Sequence, residues 1–178
     1  MNRNALRLMS IFSLFCAATI LAADADKPKE GKATVVFDHP ENFTDVKDAY
    51  KPTDKGREAI LDQIKQFVEG KAAPLLPPGQ TLEVKFTDID LAGDFEPQRG
   101  PEFMDVRIVK EIYAPRFDLE FKLTGADGKV ISEGKRKLRD LNFMSRLTLP
   151  SSEPLRFEKD ILKDWLRGEI KSPKAAGG

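Results

Sequence analysis

The sequence predicts an α+β fold: a mainly antiparallel sheet of about four to five strands with two helices packed on one face. Three observations carry this. Phe117, Leu119, Phe121 and Leu123 alternate strictly with Asp118, Glu120 and Lys122, the period of a half-buried strand. Ile60, Ile64, Phe67 and Val68 recur at helical spacing, as do Phe157, Ile161 and Trp165. The strand-like segments also follow one another between the two helical ones, an order that favours antiparallel pairing over repeated β-α-β units.

Along the chain, ATVVFD at Ala33–Asp38 is a short apolar run stopped by His39 and Pro40, and predicts the first strand. Thr53 or Asp54 can cap a helix over about 54–70, with Gly70 as its stop and Pro74, Pro77 and Pro78 as a rigid connection. Leu82, Val84 and Phe86 alternate with Glu83, Lys85 and Thr87 as the next strand. Val106, Ile108 and Ile112 suggest another, running up to Pro115. The GADG turn at Gly125–Gly128 folds the strand at Phe117–Leu123 onto a partner beginning at Val130. Ser151 and Ser152, followed by Pro154, open a last helix over about 153–168.

The 178 residues suffice for one domain with a proper core, and 40% hydrophobic with 33% charged residues suits a solvated globular surface. Basic and acidic residues balance at 29 each, so there is no electrostatic footprint for nucleic acid. The N-terminus departs from this composition. Arg3 and Arg7 precede an apolar run from Leu8 to Leu21 and then small residues, the layout of a secretory signal. That run falls short of the roughly 20 residues of a membrane-spanning helix. Phe15 before Cys16 argues against lipidation. Cleavage after Ala22 or Ala23 removes Cys16, the single cysteine, and leaves a slightly acidic chain without thiols. The expected organisation is a signal peptide over 1–23, a flexible leader over 24–33, one domain over 34–170 and a disordered tail over 171–178, in a periplasmic protein with no membrane span after cleavage.

The stretch FTDIDLAGDFEP, Phe86–Pro97, concentrates carboxylates around Gly93, and Asp88, Asp90 and Asp94 are the candidate metal ligands. Calcium takes six to eight oxygens, so the residue type fits, but the i, i+2, i+6 spacing is not that of a calcium-binding helix–loop–helix. A regular strand would turn Asp88 and Asp90 toward the core, where unpaired carboxylates are costly. A change of parity near Thr87, through a bulge or strand exit, brings Ile89 and Leu91 inward instead. The favoured reading is structural, with these acids capping a turn or pairing with a base such as Arg107.

No catalytic or cofactor-binding residue is singled out, and no cofactor is expected. His39 is the single histidine, beside Pro40, and there is no G-x-S-x-G nucleophile turn. The basic run Lys135, Arg136, Lys137 and Arg139 could meet phosphate headgroups or acidic glycans, but reads first as an edge strand guarded against aggregation. The Phe157, Ile161 and Trp165 stripe reads as core.

Taken together, FTDIDLAGDFEP, DVRIVKEIYAPRFDLEF, LNFM and SSEPLRFEKDILKDWL resemble the family called domain of unknown function 3016, secreted proteins of Gram-negative bacteria. The resemblance spans about 34–168 and implies an exported, single-domain protein, with no activity or catalytic residues to carry over. The functional expectation is a non-enzymatic binding or accessory domain whose partner is an envelope protein or glycan. The alternatives are a carboxylate-dependent envelope hydrolase and a calcium-stabilised structural protein.

Overall fold

The computed structural model describes residues 30–145, 149–150 and 152–171. The expected signal peptide, most of the expected leader, Ser151 and the expected tail beyond Lys171 lie outside the described residues. The elements are β1 (Lys32–Phe37), α1 (Asp54–Ala72), β2 (Thr81–Asp90), β3 (Asp94–Phe95), β4 (Arg107–Ile108), β5 (Arg116–Thr124), β6 (Val130–Arg139) and α2 (Arg156–Lys171). The α+β content is as the sequence predicts: two helices, a four-stranded sheet and a separate two-stranded ladder.

The main sheet has the order β1-β2-β5-β6. β2 pairs antiparallel with β5, and β5 with β6, but β1 and β2 are parallel. The parallel pair follows from the first helix. With α1 between them, the chain leaves β1, runs back along the helix and starts β2 beside the start of β1, with Lys32 opposite Thr81.

One face of the sheet is the core. Leu82, Val84 and Phe86 of β2 lie opposite Leu123, Phe121 and Leu119 of β5, and all six are buried. Leu61, Ile64, Val68 and Ala72 of α1 and Leu162, Trp165, Leu166 and Ile170 of α2 join them in a single cluster. Aromatic rings set its two ends. Phe86 stacks on Phe37 at 5.6 Å and meets Phe117 edge-on at 5.7 Å, while Phe121 meets Trp165 edge-on at 6.0 Å.

Several boundaries differ from expectation for identifiable reasons. Thr53 caps α1, its hydroxyl accepting from the Gly56 amide at 2.9 Å. Gly70 does not stop the helix, because Ala72 extends the buried stripe by one turn; a 3-10 turn through Pro74 follows. The strand expected up to Pro115 shrinks to the two residues of β4, paired with β3 in its own ladder. Val106 and Ile112 are 49% and 74% exposed, so their apolar character marks no buried face. α2 begins at Arg156 rather than 153, because Leu155 has φ 55°, a left-handed conformation that cannot continue a right-handed helix. Its carbonyl nonetheless accepts the Lys159 amide at 2.9 Å. Pro154 therefore precedes the helix.

β6 lies at the sheet edge, and its basic residues divide by parity. Lys135 and Lys137 point to solvent, whereas Arg136 turns inward onto Glu169 of α2 with two bonds of 3.0 Å and sits 4.7 Å from the Phe121 ring. Of the two ways to change parity near Thr87, a bulge or a strand exit, the structure takes the bulge: the register shifts between Phe86 and Asp88 and β2 continues to Asp90.

Phe86 is fully buried where three strands meet. Phe86→Ala should lower the unfolding free energy by about 3–5 kcal/mol. Urea denaturation checks this: the midpoint should fall with the slope unchanged, and a loss below about 1 kcal/mol would contradict the packing described.

Candidate functional site

The stretch that drew attention in the sequence forms the far end of β2 and the loops beyond it. The extra residue at Thr87 puts Ile89 into the core with no exposure and leaves Asp88 and Asp90 facing outward, half-buried. Asp88 accepts from the Thr44 amide at 2.7 Å, the Thr44 hydroxyl at 2.8 Å and Arg116 at 2.9 Å. Burial pushes its pKa up, but the Thr44 and Arg116 contacts outweigh that and hold the carboxyl below its ordinary value. Burial raises the pKa of Asp90, with the nearby charges of Asp45 and Asp88 adding to it, and Arg116, 4.0 Å away, and Arg107 offset this only in part. Asp94 turns back on its own strand and accepts the Phe95 amide at 2.7 Å.

The expected base, Arg107, is engaged elsewhere. Asp45 is buried and forms a parallel bridge beside Asp90, with its amide bonded to Ile89 and its carbonyl to the Leu91 amide. Its two carboxylate oxygens take Arg107 at 2.8 and 3.2 Å. The same guanidinium donates to the carbonyls of Gly93 at 2.8 Å and Lys47 at 2.9 Å, and lies 4.8 Å from the Phe95 ring. One arginine thus ties three segments together. Gly93 has to be glycine here: its φ is 82°, and a Cβ would stand 2.8 Å from the Ile108 carbonyl oxygen.

A second knot lies beyond it. Glu96 is buried and accepts from Arg99 at 2.5 Å, from the Tyr113 hydroxyl at 2.9 Å and from Lys110. The Lys110 bond leads these contacts in overcoming burial, and the carboxyl is held down to about 2. Glu158 of α2 is buried too and accepts the Ala92 amide at 2.7 Å; there burial dominates and raises its pKa. Asp45, Glu96, Arg107 and Glu158 were not legible as a set, since their partners lie up to 66 residues away in sequence.

Every acid singled out in the sequence is therefore committed to a base, a hydroxyl or a backbone amide, with Asp90 the loosest. Asp88 and Asp90 come together, and Asp94 does not join them as a ligand set. Among the described residues no three His, Cys, Asp or Glu side chains are grouped to hold a metal ion. His39 sits outside this region in a left-handed turn, 75% exposed, with Nδ1 3.2 Å from Glu41.

A second candidate surface is the open face of the main sheet. Lys85, Glu120 and Lys135 stand in one cross-strand row, joined at 2.9 and 2.7 Å, and Asp38 extends it at 3.5 Å from Lys85. The two lysines hold the Glu120 carboxyl at about 2, with Lys135 the larger influence. In the neighbouring row Glu83, Lys122 and Glu133 repeat the alternation with opposite signs. These rows line a shallow depression of about 600 Å3 reaching from Val36 to Lys135.

With this geometry in hand, comparison with known families gives one match. The family described as "Protein of unknown function (DUF3016)" matches residues 31–168. The chain belongs to this family. The match takes in all eight named elements but for the last turn of α2. No curated protein and no solved structure matches the chain. No helix among the described residues is long and apolar enough to cross a membrane.

Glu96 gives the site a readable acid signature. Its folded pKa of about 2 lies below the ordinary 4.5, so its contribution to stability is full above about pH 4.5 and fades as pH falls toward 2. Glu96→Gln should lower stability at neutral pH and flatten this part of the stability–pH curve. Denaturant titrations across that range check it, and superimposable profiles for the two proteins would contradict the role given to Glu96.

Proposed function

We propose that this family member is an exported, non-enzymatic binding domain that engages an envelope protein through the open face of its four-stranded sheet. The observation that carries the reading is the depression spanning all four strands, lined by rows of alternating charge rather than by a nucleophile and a base. Such a surface suits recognition, because complementary charge patterns select and orient a partner while contributing modestly to affinity. The secretory layout of residues 1–23 supports a partner in the cell envelope.

A second reading has one observation in its favour. Asp88 and Asp90 are neighbours whose pKa values move in opposite directions, the pattern of a general acid beside an ionised carboxylate. A carboxylate-dependent hydrolase would need substrate access there, and neither the 600 Å3 depression nor a second one beside β1 is lined by these residues.

Affinity capture from periplasmic extract discriminates the two. Lys122 and Lys135 lie on the open face and are exposed, so Lys122→Gln with Lys135→Gln removes their charge without setting like charges opposite one another and should lower the melting temperature only slightly. This variant should lose the partner held by the unaltered protein, while Asp88→Ala/Asp90→Ala, if folded, should keep it. The reverse pattern would move recognition to the carboxylates and overturn the open-face reading. Glycan cleavage that disappears in Asp90→Asn would overturn the non-enzymatic assignment. Recovery of the chain from the cytoplasmic fraction with residues 1–23 intact would overturn export.

A further inference from the structure

β1 is an edge strand, with β2 on one side only. The amides of Lys32 and Asp38 bond to the Gln80 and Phe86 carbonyls of the β2 side. By strand parity the amides and carbonyls of Ala33, Val35 and Phe37 point the other way. The Val35 amide confirms the direction: it donates outward to the Glu69 carboxylate of α1 at 3.0 Å. A side-chain oxygen from the helix thus occupies the position where the carbonyl of an added strand would sit. Beyond it, toward Phe37 and Pro40, a groove of about 530 Å3 opens between the strand edge and α1.

The helix wall of this groove has a pattern of its own. Glu58, Asp62 and Lys65 line it, and Glu69 continues the same i, i+4, i+7, i+11 stripe at its closed end. That stripe flanks the buried one at Leu61, Ile64 and Val68 and carries three acids to one base. Glu58 and Asp62 are exposed, and neither is in an ion pair with a described residue. α1 runs back along β1, so the stripe follows the strand edge for about 16 Å, the length of about five extended residues. Glu58 and Asp62 are about 6 Å apart along the helix axis. Alternate side chains of an extended peptide are separated by nearly the same distance, about 6.6–6.8 Å.

We propose that the groove between β1 and α1 receives an extended peptide by strand addition, and that the peptide carries lysine or arginine at alternate positions. Its backbone pairs with the outward carbonyl of Val35 and the outward amide and carbonyl of Phe37, and its cationic side chains reach Glu58 and Asp62. Main-chain bonds supply affinity in this mode and alternate side chains supply selectivity. The Glu69 carboxylate limits the register by closing one end of the edge. This site is separate from the open sheet face and does not rest on the reading given above.

The test is a titration of the isotopically labelled full chain, followed by amide NMR, with end-blocked Lys-Thr-Lys-Thr-Lys. Two comparison peptides are its glutamate counterpart and its backbone N-methylated counterpart, which keeps the charge but cannot pair as a strand. The basic peptide should shift amides over 35–38 and 58–65, and both comparison peptides should bind at least about tenfold more weakly. Glu58→Lys/Asp62→Lys should weaken the basic peptide by at least about tenfold. Both positions are exposed, so this variant should fold; if it does not, the N-methylated peptide still decides on the unaltered protein. Equal binding of the N-methylated peptide, shifts confined to β6 or the open face, an undiminished affinity in a folded reversed variant, or no shift at millimolar peptide would each overturn the proposal.

Discussion

The extra residue at Thr87 is the constraint on which the far end of the molecule depends. β2 is the strand with a parallel partner on one side and an antiparallel one on the other, so its side-chain parity is fixed over Leu82–Phe86 by the core. Continued without interruption, that parity would drive Asp88 and Asp90 into the apolar layer, where a lone carboxylate neutralises or destabilises the fold. The bulge exchanges them for Ile89, and Leu91 follows it inward at 2% exposure. The freed aspartates then meet Arg116, and the bridge beside Asp90 brings Asp45 within reach of Arg107.

The charges of this protein fall into two energetic classes. Those on the open face are exposed and screened, and pairs of that kind contribute roughly 0.2–1 kcal/mol each. Asp45–Arg107 and Glu169–Arg136 are buried on the acid side and bonded through both carboxylate oxygens. Removing one partner from a pair like these leaves a buried charge uncompensated, which costs about 3–5 kcal/mol, even though forming the pair adds little net stability. Their effect is positional: Arg107 ties the segments at Asp45 and Gly93 to β4, and Arg136 ties β6 to α2. Lys159 does the same between helices, bonded to Glu153 and lying 5.8 Å from the Phe67 ring of α1.

The same separation organises the surface. The acids in the most elaborate cluster are consumed by architecture, and the surfaces left to meet other molecules are regular ones: a sheet face with charge in rows, and a sheet edge beside a helix. Each offers a lattice of backbone or charged groups at fixed spacing, the feature on which the binding modes proposed for them rest. Glu69 illustrates how the fold handles its edge. By accepting the Val35 amide it satisfies one outward donor and shortens the stretch open to pairing, a guard against unregulated aggregation. At the other edge, Lys135 and Lys137 serve that purpose from β6.

What the sequence determined by itself was local and periodic. Alternation placed β5 almost to the residue, the GADG turn fixed its hairpin with β6, and the stripe at Phe157, Ile161 and Trp165 was rightly read as packed rather than free. The change of parity at Thr87 was legible too, because a break in period is written in the side chains themselves, but that it is a bulge and not a strand exit only the pairing with β5 decided. The failures came where local apolar character was taken for burial, at Val106 and Ile112, or where backbone conformation overrode composition, at Leu155. Tertiary structure decided the rest. The parallel pairing of β1 with β2, the choice of Asp45 rather than Asp88 for Arg107, and the burial of Glu158 beneath Ala92 all depend on contacts between residues dozens of positions apart. Period and turn chemistry act over a few residues, whereas partner choice among 29 acids and 29 bases is settled only when the folded chain fixes which of them share a space.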